Sequence, residues 1–300
     1  MKTLYVLQGP TAVGKTELSL LIAEHLGCPI ISADSRQMYR DIPIGTAAPT
    51  AEEQQRVRHY FVGNLPLDAS YNAAQYESEA LALAEELFRH HDRLLVSGGS
   101  MMYLDALCQG IDRMPDVPPA LRQELRQRVE TEGLASLVAD LRRLDPEYAE
   151  RCDLQNPVRV VHALEMCIIT GTTYSSFRRR EREAAAPQRP FRIVRIGLNR
   201  PREELFDRIN RRVDRMVQQG FIEEARRVSP YRHLNSLNTV GFKEMFRYLD
   251  GEWELPFTLD RIRKNTRVYA KKQLTWFLRD ASVRWFHPEA DRAALLALLA

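Results

Sequence analysis

Residues 9–16 read Gly9-Pro10-Thr11-Ala12-Val13-Gly14-Lys15-Thr16, the G-x-x-x-x-G-K-T spacing of a phosphate-binding loop. What flanks it decides the fold. Leu4-Tyr5-Val6-Leu7 is a short apolar run suited to a buried strand. After Thr16, Leu18, Leu21, Ile22 and Leu26 fall on one face of a helix. Strand, glycine loop, helix is the context the motif needs. Glycines let successive backbone N–H groups turn toward one anion. The helix N-terminus adds partial positive charge, and Lys15 adds a full one. The Thr16 hydroxyl can hold Mg²⁺. A di- or triphosphate therefore binds at this loop, but the loop alone does not say what happens to it.

Working outward, Pro29-Ile30-Ile31-Ser32-Ala33 reads as a second buried strand, ending at Asp34-Ser35-Arg36-Gln37-Met38-Tyr39. In open α/β sheets ligands sit beyond the carboxyl ends of strands, which puts Asp34 near the phosphate loop. The alternative for Asp34 is a helix N-cap. Ile44-Gly45-Thr46-Ala47-Ala48-Pro49 is loop-like, a short strand is expected within 57–63, and a helix over 72–90. Arg93-Leu94-Leu95-Val96-Ser97 is a third strand, ending in Gly98-Gly99-Ser100-Met101-Met102-Tyr103. That ending is either a plain strand-to-helix turn or a further piece of the site.

The character changes after Gly110. A Pro-rich linker at Met114–Pro119 leads into helical segments at about 119–131, 134–144, 146–152 and 157–170, followed by a polar exit over 178–187. Strand pattern returns over 191–198. The expected fold class is thus α/β: a P-loop parallel-sheet core flanked by helices, built from 1–111 and 191–300, with an all-helical insertion over 112–190. A helix begins at Pro201 and runs to about Gln219, with Arg208, Arg212 and Arg215 on one side, either as a solvated basic face or as part of the site. The last long helix contains the run 261–279, with seven basic residues and no acid, interleaved with Tyr269, Trp276 and Phe277. Such a helix fits a nucleic-acid contact surface or an amphipathic helix with core aromatics. A final strand at 283–287 and an Ala/Leu-rich helix close the chain.

Composition narrows the function classes. Hydrophobic content of 44% and charged content of 28% are ordinary for a globular chain. With a net charge of only +3, nucleic-acid binding must come from local patches. Cys28, Cys108, Cys152 and Cys167 form no C-x-x-C pair, so reduced thiols and a cytoplasmic location are expected. No signal peptide is expected with the loop at residue 9, and no apolar run approaches membrane-spanning length. The seven histidines form no ligand-spaced cluster, and there is no G-x-S-x-G elbow.

Taken together, several stretches resemble the tRNA dimethylallyltransferase (tRNA isopentenyltransferase) family. They are the loop 9–16, Asp34-Ser35-Arg36-Gln37-Met38-Tyr39, Ile44-Gly45-Thr46-Ala47, Gly98–Tyr103, Arg208–Gly220, Val240-Gly241-Phe242-Lys243-Glu244, and Thr266-Arg267 with Lys271-Lys272-Gln273-Leu274-Thr275-Trp276-Phe277. They follow the family's order over nearly the whole chain. The D-S-x-Q-x-Y and K-[KR]-Q-x-T-W segments are the specific ones. Ser100 stands where Thr is usual, Ala48 where a Lys is common, and His59-Tyr60-Phe61 matches the family's His-His pattern only loosely. The zinc finger of some eukaryotic relatives is absent.

The resemblance implies transfer of a dimethylallyl group from dimethylallyl diphosphate to the N6 amine of the adenosine 3′ of a tRNA anticodon. It implies diphosphate binding by Gly9, Pro10, Thr11, Ala12, Val13, Gly14, Lys15 and Thr16, with Mg²⁺ on Thr16. Asp34, Ser100, Lys15 and Arg212 are then the catalytic set. The anticodon stem-loop is contacted by Asp34, Ser35, Arg36, Gln37, Ser100, Arg122, Val158, Arg159, Val160, Val161, His162, Asn238, Thr239, Val240, Gly241, Phe242 and Lys243. A monomer is expected. Two other readings compete: a P-loop kinase of a small molecule or nucleotide, and a non-catalytic RNA-binding ATPase.

Overall fold

Thr3–Gln8 forms β1 with all six residues buried, as an apolar run must when helices cover both faces of a parallel sheet. The computed structural model describes residues 1–111, 114–183 and 188–299. The start of the expected insertion, at 112–113, and residues 184–187 of the expected polar exit lie outside them. The chain divides into two units, 1–109 with 189–300, and 110–188.

In the first unit β1 is followed by α1 (Lys15–Leu26), β2 (Ile30–Ala33), α2 (Pro43–Thr46), α3 (Ala51–Arg56), β3 (His59–Tyr60), α4 (Ala73–Leu87), β4 (Arg93–Gly98) and α5 (Met101–Gln109). The second unit holds α6 (Pro119–Thr131), α7 (Leu134–Leu144), α8 (Pro146–Arg151), α9 (Pro157–Thr170) and α10 (Tyr174–Glu183). The first unit resumes with β5 (Arg192–Leu198), α11 (Arg202–Gln218), α12 (Phe221–Val228), α13 (Phe242–Leu249), α14 (Leu255–Phe277), β6 (Arg284–Phe286) and α15 (Arg292–Leu298).

The sheet is parallel throughout, in the order β3-β2-β4-β1-β5-β6. Its register positions the site. Gln8 lies beside Gly98 and Ala33 beside Gly98, so three strands end abreast. The loops that begin at Gly9, Asp34 and Gly99 therefore leave the sheet side by side. Gly98 is required by this closeness, since a Cβ there would lie 2.1 Å from the Ala33 carbonyl oxygen.

One core cluster packs around the sheet. A second, in the same unit, lies beneath α2 and gathers Ile42, Val213, Phe221, Phe242, Met245 and Ile262. Phe242 is fully buried, with its ring edge-on to Phe221 at 5.2 Å. Its expected role at the RNA surface is therefore not a side-chain role. Phe242→Ala should cost about 3–5 kcal/mol of stability, the range for deleting a buried aromatic, and thermal unfolding should show it without RNA present.

Several elements differ from expectation. The helix expected at 72–90 is α4, for which Asn72 serves as N-cap, accepting from Gln75 N. The strand expected within 57–63 shrinks to two residues. The helix from Pro201 ends at Gln218, close to the expected end, and Gly220 just beyond it takes φ 98° and also opens α12. The last long helix begins at Leu255, six residues before the basic run, with Pro256 in its first turn. The polar exit is helical as far as Glu183.

Candidate active site

The loop after β1 is held by cations on its acceptor side. Lys15 Nζ donates to the carbonyls of Gly9 and Pro10, both at 2.9 Å. Arg208 Nε donates to Ala12 O at 2.9 Å, and Arg200 Nε to Val13 O at 2.8 Å. Arg212 reaches Thr11 Oγ1 at 3.1 Å and Thr46 O at 3.2 Å. Four loop carbonyls that would repel an anion are thus occupied. Gly14 takes φ 112° at the start of α1, a left-handed conformation that costs glycine nothing. Gly9 leaves room for β5, since a Cβ would sit 2.8 Å from Leu198 O. Val13 is fully buried, so only its backbone can serve a ligand.

The stripe of arginines on α11 is therefore partly a site and partly a solvated face. Arg208, Arg212 and Arg215 line the cleft beside the loop, while Arg211 is exposed and pairs with Asp207. Lys15 is half-buried at the base of the cleft. Burial lowers its pKa to about 8, Asp34 opposes that shift, and Arg212 adds to it. Burial also lowers Arg212, again against the attraction of Asp34.

Asp34 does not cap a helix. Its Oδ1 accepts from Arg36 N at 3.1 Å, an Asx-type turn that aims the carboxylate from the end of β2 into the cleft. Ser100 lies below this turn, 9% exposed. Its Oγ accepts from Ser35 N at 2.8 Å and donates to Ser35 Oγ at 3.1 Å. Ser100 thus supports the Asp34 turn from beneath. Gln37 spans to Thr46 O and Ala47 O, and Arg36 to Asn235 O.

The cleft holds about 1070 Å³ and is also lined by α2, Ala48, Asn238, Thr239, Val240, Gly241, Lys243, Tyr269 and Gln273. Glu224 was not expected here. Buried on α12, its carboxylate accepts from Ile44 N and Gly45 N at 2.9 and 2.7 Å and fixes the start of α2. Tyr269 is 37% exposed, and burial and the nearby Asp34 push its phenol up to about 12. It therefore stays protonated.

The basic α14 helix resolves into two faces. Gln273 and Phe277 are buried, and Trp276 donates to Asp105 Oδ2 at 2.6 Å. Lys264, Lys271, Lys272 and Arg279 are exposed. In the helical unit, Glu165, 3% exposed, holds Arg122 Nε at 3.0 Å and lies 3.5 Å from His162 Nδ1. Val158 and Arg159 are exposed, but Val160 and Val161 are buried in that unit's core and offer RNA no side chain.

Mg²⁺ is compatible with this arrangement. Thr16 is exposed and lines the cleft, its hydroxyl makes no hydrogen bond among the described residues, and Asp34 shares the same cleft. A hydroxyl suits a hard cation that takes its remaining ligands from phosphate and water. Among the described residues no cluster of three His, Cys, Asp or Glu side chains could hold a metal by itself, and no helix is long and apolar enough to cross a membrane.

The model of the IPP transferase family matches residues 37–280. The chain belongs to the IPP transferase family. It is 60% identical over 287 residues to tRNA dimethylallyltransferase 1 of Phocaeicola vulgatus, covering 96% of this chain and 94% of that one. It is 56% identical over 299 residues to tRNA dimethylallyltransferase 1 of Bacteroides fragilis, covering 100% and 98%. Among solved structures, the full-length tRNA isopentenylpyrophosphate transferase of Bacillus halodurans matches with TM-score 0.69 and 36% identity, over 95% of this chain and 90% of that one. A eukaryotic dimethylallyltransferase acting on tRNA matches with TM-score 0.77 and 25% identity, over 92% and 70%. The match begins at Gln37, so the family model spans the α2 segment, the helical unit and α14 but not the phosphate loop. The loop's reading rests on its own residues.

Proposed function

We propose that this IPP transferase family member transfers a dimethylallyl group from dimethylallyl diphosphate to the N6 amine of the adenosine 3′ of the anticodon in tRNA. The observation that carries this reading is one cleft lined by Lys15, Arg212 and Asp34 together. Loop and cations form the donor end, and the carboxylate forms the acceptor end.

The bond from the allylic carbon to the diphosphate oxygen breaks, and the bond from N6 to that carbon forms. Charge moves onto the departing diphosphate. Lys15 and Arg212, fixed before the reaction, stabilise it there with no reorganisation at the moment of transfer. Bound Mg²⁺, held by Thr16 and the diphosphate, would add further positive charge at the same place. The N6 lone pair is delocalised into the ring, so its proton must be taken as the new bond forms. Asp34 accepts that proton. Ser100 keeps the Asp34 turn in place through Ser35. The base has to leave its stack to reach the cleft. In a P-loop kinase the acceptor end would hold a hydroxyl and the γ-phosphate would move, and the exposed lysines of α14 would have no task.

Those lysines should contact tRNA phosphates, as should Arg122 and Arg159 of the helical unit. Replacing Lys271 and Lys272 together by Ala should weaken binding of all substrate tRNAs alike. The slope of log affinity against log salt should become shallower by up to about 2, with donor kinetics unchanged. An unaltered slope in a filter-binding titration would return both lysines to plain solvation. The reading itself is tested by mass spectrometry of tRNA from a strain in which this chain is the only enzyme of the family. Removal of the gene should erase the N6-dimethylallyl adenosine and leave unmodified adenosine in its place.

A further inference from the structure

Gln273 is 2% exposed on α14, yet it touches both halves of the cleft. Its Oε1 accepts from Thr11 N at 2.9 Å, and its Nε2 donates to Gly99 O at 2.8 Å. Thr11 belongs to the diphosphate loop, and Gly99 precedes the Ser100 that carries the Asp34 turn. The fit is close. A Cβ on Gly99 would lie 2.6 Å from Gln273 Nε2 and 3.5 Å from Lys15 Nζ. The second glycine of the turn is therefore needed so that this carboxamide can enter. One helical turn on, Trp276 docks on Asp105, which pairs with Arg195, a donor to Gln8 just ahead of the loop. The helix is thus anchored independently of Gln273, and the carboxamide bond is free to serve the site.

We propose that Gln273 is a positioning residue for the transfer reaction. By bonding to Thr11 and Gly99 together, it sets the separation between the donor loop and the acceptor turn. It also takes up the Thr11 N–H, so the diphosphate is held by the remaining loop amides and the cations. This rests on the prenyl-transfer reading given above. Donor affinity belongs to the loop and tRNA affinity to the outer surface. Loss of Gln273 should therefore appear in the rate of chemistry and in neither affinity.

The test is Gln273→Met, close in length and volume and able to make neither bond. Single-turnover prenyl transfer should fall about 100-fold, the cost of a misplacement on the order of 1 Å. The dissociation constants for inorganic pyrophosphate and for tRNA should stay within about threefold, well inside that factor, and the Thr11 amide should exchange its hydrogen faster. Trp276→Phe, which removes the other anchor of α14, should leave the transfer rate near wild type. Should Gln273→Met fail to fold, Gly99→Ala displaces the carboxamide while keeping it in the protein, and the same rate loss at retained affinity is expected. The proposal is overturned by a folded variant with an unchanged rate, by a rate loss equal to that of Trp276→Phe, or by pyrophosphate affinity falling in step with the rate. The Thr11 exchange and pyrophosphate measurements need no prenyl transfer. A wild-type protein that transfers no prenyl group would thus fail the functional reading separately.

Discussion

Asp34→Asn should slow a single turnover of prenyl transfer by roughly 10²–10⁴-fold, the usual contribution of a positioned general base. The substitution keeps the shape of the side chain. Its Oδ1 can still accept from Arg36 N, the bond that forms the turn, so the backbone beyond β2 stays as it is. What is lost is the proton acceptor and one negative charge. That charge supports the protonated forms of Lys15 and Arg212, so the measurement belongs well below pH 8, where loss of this support matters least to the Lys15 ammonium. Under those conditions pyrophosphate binding should change little. No α-helix begins at Asp34, so its alternative role as a cap is already gone. The remaining alternative is a purely structural turn, in which Asn would substitute almost without cost. A rate within about threefold of wild type, far below the general-base range, would remove Asp34 from the chemistry.

Lys15→Ala should lower transfer by at least roughly 10²–10³-fold, the loss expected when one preorganised charge stabiliser is removed. Binding of tRNA should be unaffected, because Lys15 lies at the base of the donor end. The wild-type residue also predicts a pH dependence. Its pKa is lowered to about 8 from 10.5. The bound diphosphate needs the ammonium, so pyrophosphate affinity should fall as pH rises through about 8. Stability follows the opposite sign. Between the folded and unfolded pKa values the unfolded chain binds more protons, so this group's contribution to stability grows as pH rises. Lys15→Arg keeps its charge and should flatten the pH dependence of binding while losing part of the geometry. A Lys15→Ala protein whose pyrophosphate affinity matches wild type would show that the loop binds without its cation.

Much of this was legible in the residues because the chemistry is local. The glycine loop, the run that becomes β1 and the face of α1 lie within one stretch of sequence, and the arginine spacing on α11 brought Arg208 and Arg212 to the loop. What stayed hidden depends on contacts distant in sequence. Gln273 meets Thr11 across 262 residues, and Glu224 meets Gly45 across 179. Neither carries a local signal beyond its residue type, although Gln273 sits within the most specific motif of the chain. The assignments of Phe242, Val160 and Val161 to RNA failed at the side-chain level for a related reason. A motif marks which residues matter but not whether they matter by contact or by packing, and all three are buried. Ser100 is intermediate, at the expected strand end but facing the Asp34 turn from below.

The most direct test mixes the purified protein with unmodified tRNA and two labels, one in the dimethylallyl group of the donor and one in the γ-phosphate of ATP. Prenyl transfer predicts that the dimethylallyl label moves to one adenosine beside the anticodon, with release of diphosphate, while the phosphate label joins no acceptor. Phosphate label on an acceptor, with the dimethylallyl label still on its diphosphate, would contradict the account and favour a kinase.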